Sequence, residues 1–137
     1  MKDLITTIGS LIILMMFLMQ FTANQTTYTR IMGAEHSIKE FRVLSEEQGS
    51  IKDEEIIKLK EKISKILCCP ASEISVKVAE DSGDYSVTMP VYGIIGPARI
   101  IGLSDNENMK SHTSCGVIIL KEQEEEQQEE QEELNEQ

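Results

Sequence analysis

The stretch LITTIGSLIILMMFLMQFTA, from Leu4 to Ala23, decides how the rest of the chain is interpreted, because it contains no charged side chain. At 1.5 Å of rise per residue, twenty residues form a helix about 30 Å long, which matches the hydrocarbon thickness of a bilayer. From Leu11 onward the stretch is apolar on all sides. We therefore predict a transmembrane helix over residues 4–23, preceded by a short N-terminal tail at residues 1–3.

Two alternative interpretations of this stretch fit less well. A cleaved signal peptide needs a positive N-terminus and small residues at its cleavage site, but Lys2 is offset by Asp3, and the bulky Phe21 precedes Thr22-Ala23. The core helix of a soluble domain would show a polar stripe, which is missing from Leu11 onward. We expect a retained span that packs against lipid or partner helices through Leu11, Ile12, Leu14, Met15, Phe17 and Leu18.

The helix is predicted to continue beyond the membrane. No proline occurs between residues 24 and 47, and apolar residues recur at spacings of three and four. This spacing indicates an amphipathic helix whose apolar stripe packs on the rest of the domain. The stripe consists of Ile31, Ala34, Ile38, Phe41 and Leu44. Gly49 is suited to the C-terminal cap, so we expect a single rod of about forty residues.

A second, shorter helix is predicted from Ser50, as N-cap of a Ser-x-x-Asp box with Asp53, to just before Pro70. After Pro70 the apolar period changes to two, which predicts a hairpin of strands near residues 74–78 and 85–91, with Pro90 at a sheet edge or near a strand end. A short helix is expected around residues 97–101, and a third strand over 109–120. The predicted fold of the domain at residues 24–120 is α+β, with a small three-stranded antiparallel sheet.

The acidity of the chain is concentrated at its C-terminal end. Residues 121–137 hold nine Glu, five Gln and one Lys, so they account for −8 of the formal net charge of −11. Such a composition cannot bury a core, and we predict a disordered tail. Trp is absent and no basic patch is visible, which argues against nucleic-acid partners.

Three cysteines and two histidines are the remaining residues with reactive or ligating side chains. The adjacent Cys68 and Cys69 lack the Cys-x-x-Cys spacing of zinc sites, and a set of Cys69, His112 and Cys115 would need the fold to bring them together. A disulfide from Cys68 or Cys69 to Cys115 is possible in an extracellular domain, and buried free thiols are the other interpretation. We predict no catalytic residues, no metal and no cofactor, and hence no enzyme.

The segments MKDLITTIGSLIILMMFLMQFTANQTTYTRIMGAEHSIKEFR (1–42) and YSVTMPVYGIIGPARIIGLS (85–104) resemble those of TadE/TadF-like minor pilins or pseudopilins from tight-adherence (Tad/Flp) pilus clusters of Gram-positive anaerobes. The resemblance implies a cytoplasmic N-terminus and an extracellular domain that helps to initiate, cap or scaffold a pilus or related secretion machine. In one respect the sequence departs from that family. The fifth residue after Gly9 is Leu14 rather than Glu, so we expect an unprocessed anchor.

The expected function is therefore non-enzymatic. A single-pass protein of the cell membrane would contact lipid, other pilin-like or assembly-platform membrane proteins, or a second copy of itself. The alternative is a membrane-anchored adaptor that faces the cytoplasm and recruits a partner through its acidic tail. The charges flanking the span, Lys2 on one side and Arg30, Lys39 and Arg42 on the other, favour that second orientation weakly.

Overall fold

The computed structural model describes residues 2–79 and 82–119, so the predicted tail at 121–137 lies outside the described residues. The predicted α+β layout is confirmed. Helix α1 spans Lys2–Gln48 and helix α2 spans Asp53–Leu67. A short 3₁₀ turn, Ala71–Glu73, leads to the strands, which are β1 Ser75–Val78, β2 Asp84–Tyr92 and β3 Met109–Val117.

Helix α1 is one uninterrupted helix of 47 residues, as the pattern predicted. Its length is about 70 Å at 1.5 Å per residue. Hydroxyl side chains on the helix donate to the carbonyl four residues earlier, at 2.7–3.1 Å, in Thr6, Thr7, Ser10, Thr22, Thr26, Thr29 and Ser37. In the apolar stretch these bonds give the hydroxyls of Thr6, Thr7, Ser10 and Thr22 a partner within the helix. The helix ends before Gly49, whose φ of 67° is left-handed and accommodates a C-terminal cap without strain.

Helix α2 begins later than predicted. Its N-cap is Lys52, which makes no side-chain capping bond, so the predicted Ser50 capping box is wrong. The first turn instead carries Asp53, Glu54 and Glu55, whose charges favour the positive end of the helix dipole. At the other end Cys68 takes a left-handed conformation and its N–H donates to Ser64 O. The last residue of the helix, Leu67, thus lies three positions before Pro70.

The three strands form an antiparallel sheet in the order β1-β2-β3. Strand β1 pairs with β2 only as far as Thr88, whereas β3 pairs with β2 along its whole length. Pro90 therefore lies near the end of β2, where no β1 residue faces it and its missing N–H costs no hydrogen bond. Strand β3 ends at Val117, so residues 118 and 119 of the predicted strand lie beyond it, and residue 120 lies outside the described residues. Residues 97–101 form turns rather than the expected short helix.

The core lies between one face of the sheet and the two helices. The predicted alternation of β2 is confirmed, with Tyr85, Val87, Met89 and Val91 all buried. Their partners on the helices include Ile38 and Phe41 of α1 and Leu59, Ile63 and Leu67 of α2. This single layer of apolar contacts joins the second half of α1 to everything that follows it.

The predicted stripe on α1 is only partly correct. Ala34, Ile38 and Phe41 are buried, and Ile31 is half-buried. The prediction is wrong for Leu44, which is 49 % exposed, while Ser45 is completely buried in its place. One helical turn takes 3.6 residues, and a step of four residues is closer to a full turn than a step of three. The residue on the same face as Phe41 is therefore Ser45 and not Leu44.

Candidate membrane-contacting site

The first half of α1 makes few contacts with the rest of the protein. It is long and apolar enough to cross a membrane, and none of its most apolar 18-residue window is buried. The six side chains predicted to face lipid or partner helices are each 53–70 % exposed: Leu11, Ile12, Leu14, Met15, Phe17 and Leu18. Water is a poor solvent for such a continuous surface, so this half of the helix requires an apolar environment or partner.

One loop of the domain reaches back along this apolar helix. We call residues 93–108, between β2 and β3, the docking loop. The Gln20 side chain of α1 holds it through both ends of its amide. Gln20 Nε2 donates to Ile94 O at 3.0 Å, and Gly96 N donates to Gln20 Oε1 at 3.1 Å. The only polar interruption of the segment from Leu11 to Phe21 thus makes a specific contact that sequence reasoning missed.

Gly96 allows the backbone of the loop to lie against the backbone of α1. A Cβ at this position would be 2.3 Å from Met19 O and 2.9 Å from Gln20 N. Both are backbone atoms of a helix and cannot move aside cheaply. No side chain larger than hydrogen fits here without displacing the loop, so Gly96 and Gln20 act together as the point of attachment.

Asn108 holds the docking loop in shape from the other side. This residue is buried, with 7 % exposed. Its Oδ1 accepts from Ile95 N at 2.6 Å, and its Nδ2 donates to Ile95 O at 3.0 Å. Between loop and helix lies a crevice of about 580 Å³, which is lined mainly by apolar side chains, among them Met15, Leu18, Met19, Ile95, Ala98 and Ile100.

Polar side-chain contacts attach the other elements to the second half of α1. Lys62 of α2 forms a salt bridge with Glu40, and His112 Nε2 of β3 lies 3.3 Å from Glu35 Oε1. The hydrogen bond and positive charge of Lys62 hold the pKa of Glu40 below its usual value. These pairs are exposed or half-exposed, so they add specificity to the helix contacts more than stability.

All three cysteines are free thiols in the structure, so the possible Cys69–Cys115 disulfide is not formed. Only one of the three thiols is buried, as the other interpretation expected of all of them. Cys69 is buried in the core, and burial raises the pKa of its thiol. Cys115 is exposed and pairs with Ser86, which alternates with the buried residues of β2 and therefore lies on the outer face. The two sulfur atoms are thus on opposite faces of the sheet. Cys68 is also exposed.

The structure separates the residues considered for metal binding. His112 contacts Glu35, whereas Cys69 lies in the core and Cys115 on the outer face. Within residues 2–79 and 82–119, no group of three His, Cys, Asp or Glu side chains is arranged to hold a metal ion. Among the described residues, the candidate functional site is therefore the apolar first half of α1 together with the docking loop.

Comparison of the chain with family models, curated proteins and solved structures finds no match.

Proposed function

We propose that this chain is a single-pass membrane protein that works by assembly, as a subunit similar to minor pilins or pseudopilins. The observation that carries the proposal is the unbroken α1 helix. Its first half presents an apolar surface that the protein does not cover, and its second half is part of the core. The membrane anchor and the scaffold of the domain are thus the same element.

Energetics favour insertion of the first half of α1 into a bilayer. Residues 4–23 contain ten Leu, Ile and Phe side chains. Each contributes roughly −0.3 to −0.6 kcal/mol near the bilayer centre, for a total of about −3 to −6 kcal/mol. The hydroxyls in this segment already bond to helix carbonyls, and the Gln20 amide bonds to the docking loop. The polar atoms that would oppose insertion therefore have partners.

Assembly through this helix is supported by its shape. Gly9 has no atom within 4 Å of the position a Cβ would occupy, and Ser10 follows it. Small residues let neighbouring transmembrane helices approach closely. We propose that α1 packs laterally with other pilin-like or platform helices, or with a second copy, while the sheet projects at a set height. The domain is placed outside the cell in this proposal.

Impermeant maleimide on intact cells tests the orientation, since Cys68 and Cys115 provide exposed native thiols. After mild reduction, an extracellular domain should be labelled at both positions, and the Cys68→Ser/Cys115→Ser variant should remain unlabelled. Labelling only after the cells are opened would overturn the extracellular placement and favour the cytoplasmic adaptor.

A photo-crosslinking residue at Leu11 tests assembly through the helix. Discrete crosslinked proteins should form from Leu11 but not from Lys110, which is exposed on β3. Crosslinks to lipid alone from Leu11 would contradict the assembly function while leaving the anchor intact.

A further inference from the structure

The docking loop touches the part of α1 that the proposed anchor places in the bilayer. Its attachment points, Met19 and Gln20, lie inside the apolar segment and not beyond it. At 1.5 Å per residue, Met19 is about 6 Å below Ala23, the last residue of the segment. A loop fixed at this height cannot stand clear of the membrane surface if residues 4–23 span the bilayer.

The side chains of the docking loop suit such a position. Ile100 is 63 % exposed and Ile101 is 57 % exposed, although isoleucine is among the residues most often buried. Ile95 is 36 % exposed, so the domain covers Ile95 in part and leaves Ile100 and Ile101 mostly uncovered. Ile95 and Ile100 line the same crevice as Met15, Leu18 and Met19, so the apolar surface of the loop adjoins that of α1.

Most backbone N–H groups of the docking loop have partners within the protein. Of the eleven N–H groups in residues 93–104, eight donate, and Pro97 has none. These eight belong to Gly93, Ile95, Gly96, Ala98, Ile100, Ile101, Leu103 and Ser104. Unsatisfied backbone groups are costly in lipid, so a loop with this degree of internal bonding can enter the upper part of a leaflet.

We propose that residues 93–104 form a second membrane contact, in which Ile100 and Ile101 insert among the lipids of the leaflet from which α1 emerges. Lipid acyl chains cover the isoleucines and the crevice beside α1. Arg99 is 86 % exposed at its side chain and lies 3.7 Å from Asp105, so its guanidinium remains at headgroup level. The inference rests on the proposed anchor and adds a contact that fixes the rotation of the domain about the α1 axis.

Lipid is the occupant that the observations favour over a second protein chain. Ile95 and Ile100 line one crevice with side chains of α1 that the proposed anchor already places in lipid, so the two apolar surfaces adjoin. The depth of the loop attachment, about one helical turn inside the apolar segment, matches the roughly 5–10 Å to which interfacial segments enter a bilayer. A protein partner would require a complementary apolar surface at that same depth.

The absence of Trp from the chain permits a direct depth measurement. The full-length Ile101→Trp variant is reconstituted in phosphatidylcholine vesicles with bromine either near the carbonyl region or deep in the acyl chains. The matched control is Val117→Trp, at the other end of β3 and 46 % exposed. Val117 is eight positions along β3 from Met109, the end of the strand beside the loop. At about 3.3 Å per residue, the control therefore lies about 26 Å from that end.

The proposal expects Trp emission from Ile101→Trp at shorter wavelength than from the control. Bromine near the carbonyl region should quench the emission of Ile101→Trp at least about twofold more strongly than that of the control. Aqueous iodide should quench it less than the control, because the indole lies in the interfacial layer. Ile100→Trp should behave in the same way. Emission and iodide quenching equal to those of the control, in protein that floats with the vesicles, would overturn the loop contact alone.

Two further outcomes are also decisive. In one, the blue shift grows with the protein-to-lipid ratio and bromine does not quench the emission. This result would show that a second copy covers the loop, and would overturn the lipid contact. Protein that does not float with vesicles at all would overturn the anchor itself, and the loop contact with it.

Discussion

Replacement of Gly96 by alanine tests the contact between the docking loop and α1 most directly. The added Cβ would lie 2.3 Å from Met19 O, whereas real Cβ contacts are almost never shorter than 3.0 Å. The helix backbone is held by its own hydrogen bonds, so the loop must move. Such a movement separates the loop from both ends of the Gln20 amide, which bond at 3.0 and 3.1 Å.

The size of the effect follows from those two hydrogen bonds. Each contributes a net free energy of about 0.5–1.5 kcal/mol, so the docked state of the loop loses about 1–3 kcal/mol. At 1.4 kcal/mol per factor of ten, the open state becomes roughly 5- to 150-fold more populated. The core of the domain is not touched, so its global stability should change little.

Hydrogen exchange measured by mass spectrometry, on protein in detergent or vesicles, resolves this local opening. Peptides covering residues 94–103 should exchange roughly 5- to 150-fold faster in Gly96→Ala, since exchange there reports the open population. Peptides from β2 and β3 should be unchanged. Gly9→Ala is the matched control, because no atom lies within 4 Å of its added methyl group.

The Gln20→Leu variant makes the same measurement from the other partner. Since both substitutions release one shared contact, the double variant should exchange hardly faster than either single variant. Unchanged exchange of residues 94–103 in Gly96→Ala, or additive effects in the double variant, would refute the docked arrangement and the depth assigned to the loop.

Three further predictions concern the domain itself. Ile63→Ala, in a fully buried side chain, should lower the free energy of unfolding by about 2–5 kcal/mol in denaturant titrations, whereas Ile57→Ala, 57 % exposed, should change it by less than about 0.5 kcal/mol. In a thiol-reactivity assay Cys115 should react at once and Cys69 only on unfolding, because burial hinders access and raises the pKa of its thiol; equal rates would contradict the burial of Cys69. The pKa of Glu40 lies below its usual 4.5 in the folded state, so its salt bridge stabilises the fold above that pH and is lost as the pH falls further. Unfolding measured from pH 6 to 3 should therefore show a smaller loss of stability in Glu40→Gln than in the wild type.

Local patterns in the sequence were sufficient for the two α-helices, the three strands and their order, but not for residues 97–101, which form turns. The spacing of Ala34, Ile38 and Phe41 and the alternation of Tyr85 and Val87 each depend on contacts along a single helix or strand. Such contacts leave a periodic signal. The continuity of α1 was predictable for the same reason, since no helix-breaking residue interrupts it.

The errors arose where geometry beyond one element decides. Whether Leu44 or Ser45 faces the core depends on how α1 turns against the sheet, not on the hydrophobicity of either residue. The possible disulfide between Cys69 and Cys115 failed because the strand register places Cys115 on the outer face. Ser50 carries a suitable capping group, but the chain first reaches helical geometry three residues later.

The attachment of the docking loop could not be predicted from local sequence. Gln20 is a single polar residue in an apolar stretch, and its partners Ile94 and Gly96 are 74 and 76 residues away. A lone amide in a predicted span is nevertheless a useful signal, because its donors and acceptors need partners in an apolar environment. The isoleucines of the loop were visible in the sequence, but their height relative to α1 was not.

Helix α1 is attached to the domain at two places, and the number of residues between them is more constrained than the identity of those residues. Gln20, which holds the loop, and Ala34, which begins the core contact, are 14 residues apart. Four complete turns take about 14.4 residues, so both lie on nearly the same side of the helix. One added or deleted residue between them would turn one attachment by about 100° relative to the other. Homologous chains should therefore vary in the exposed side chains of this interval while keeping its number of residues constant.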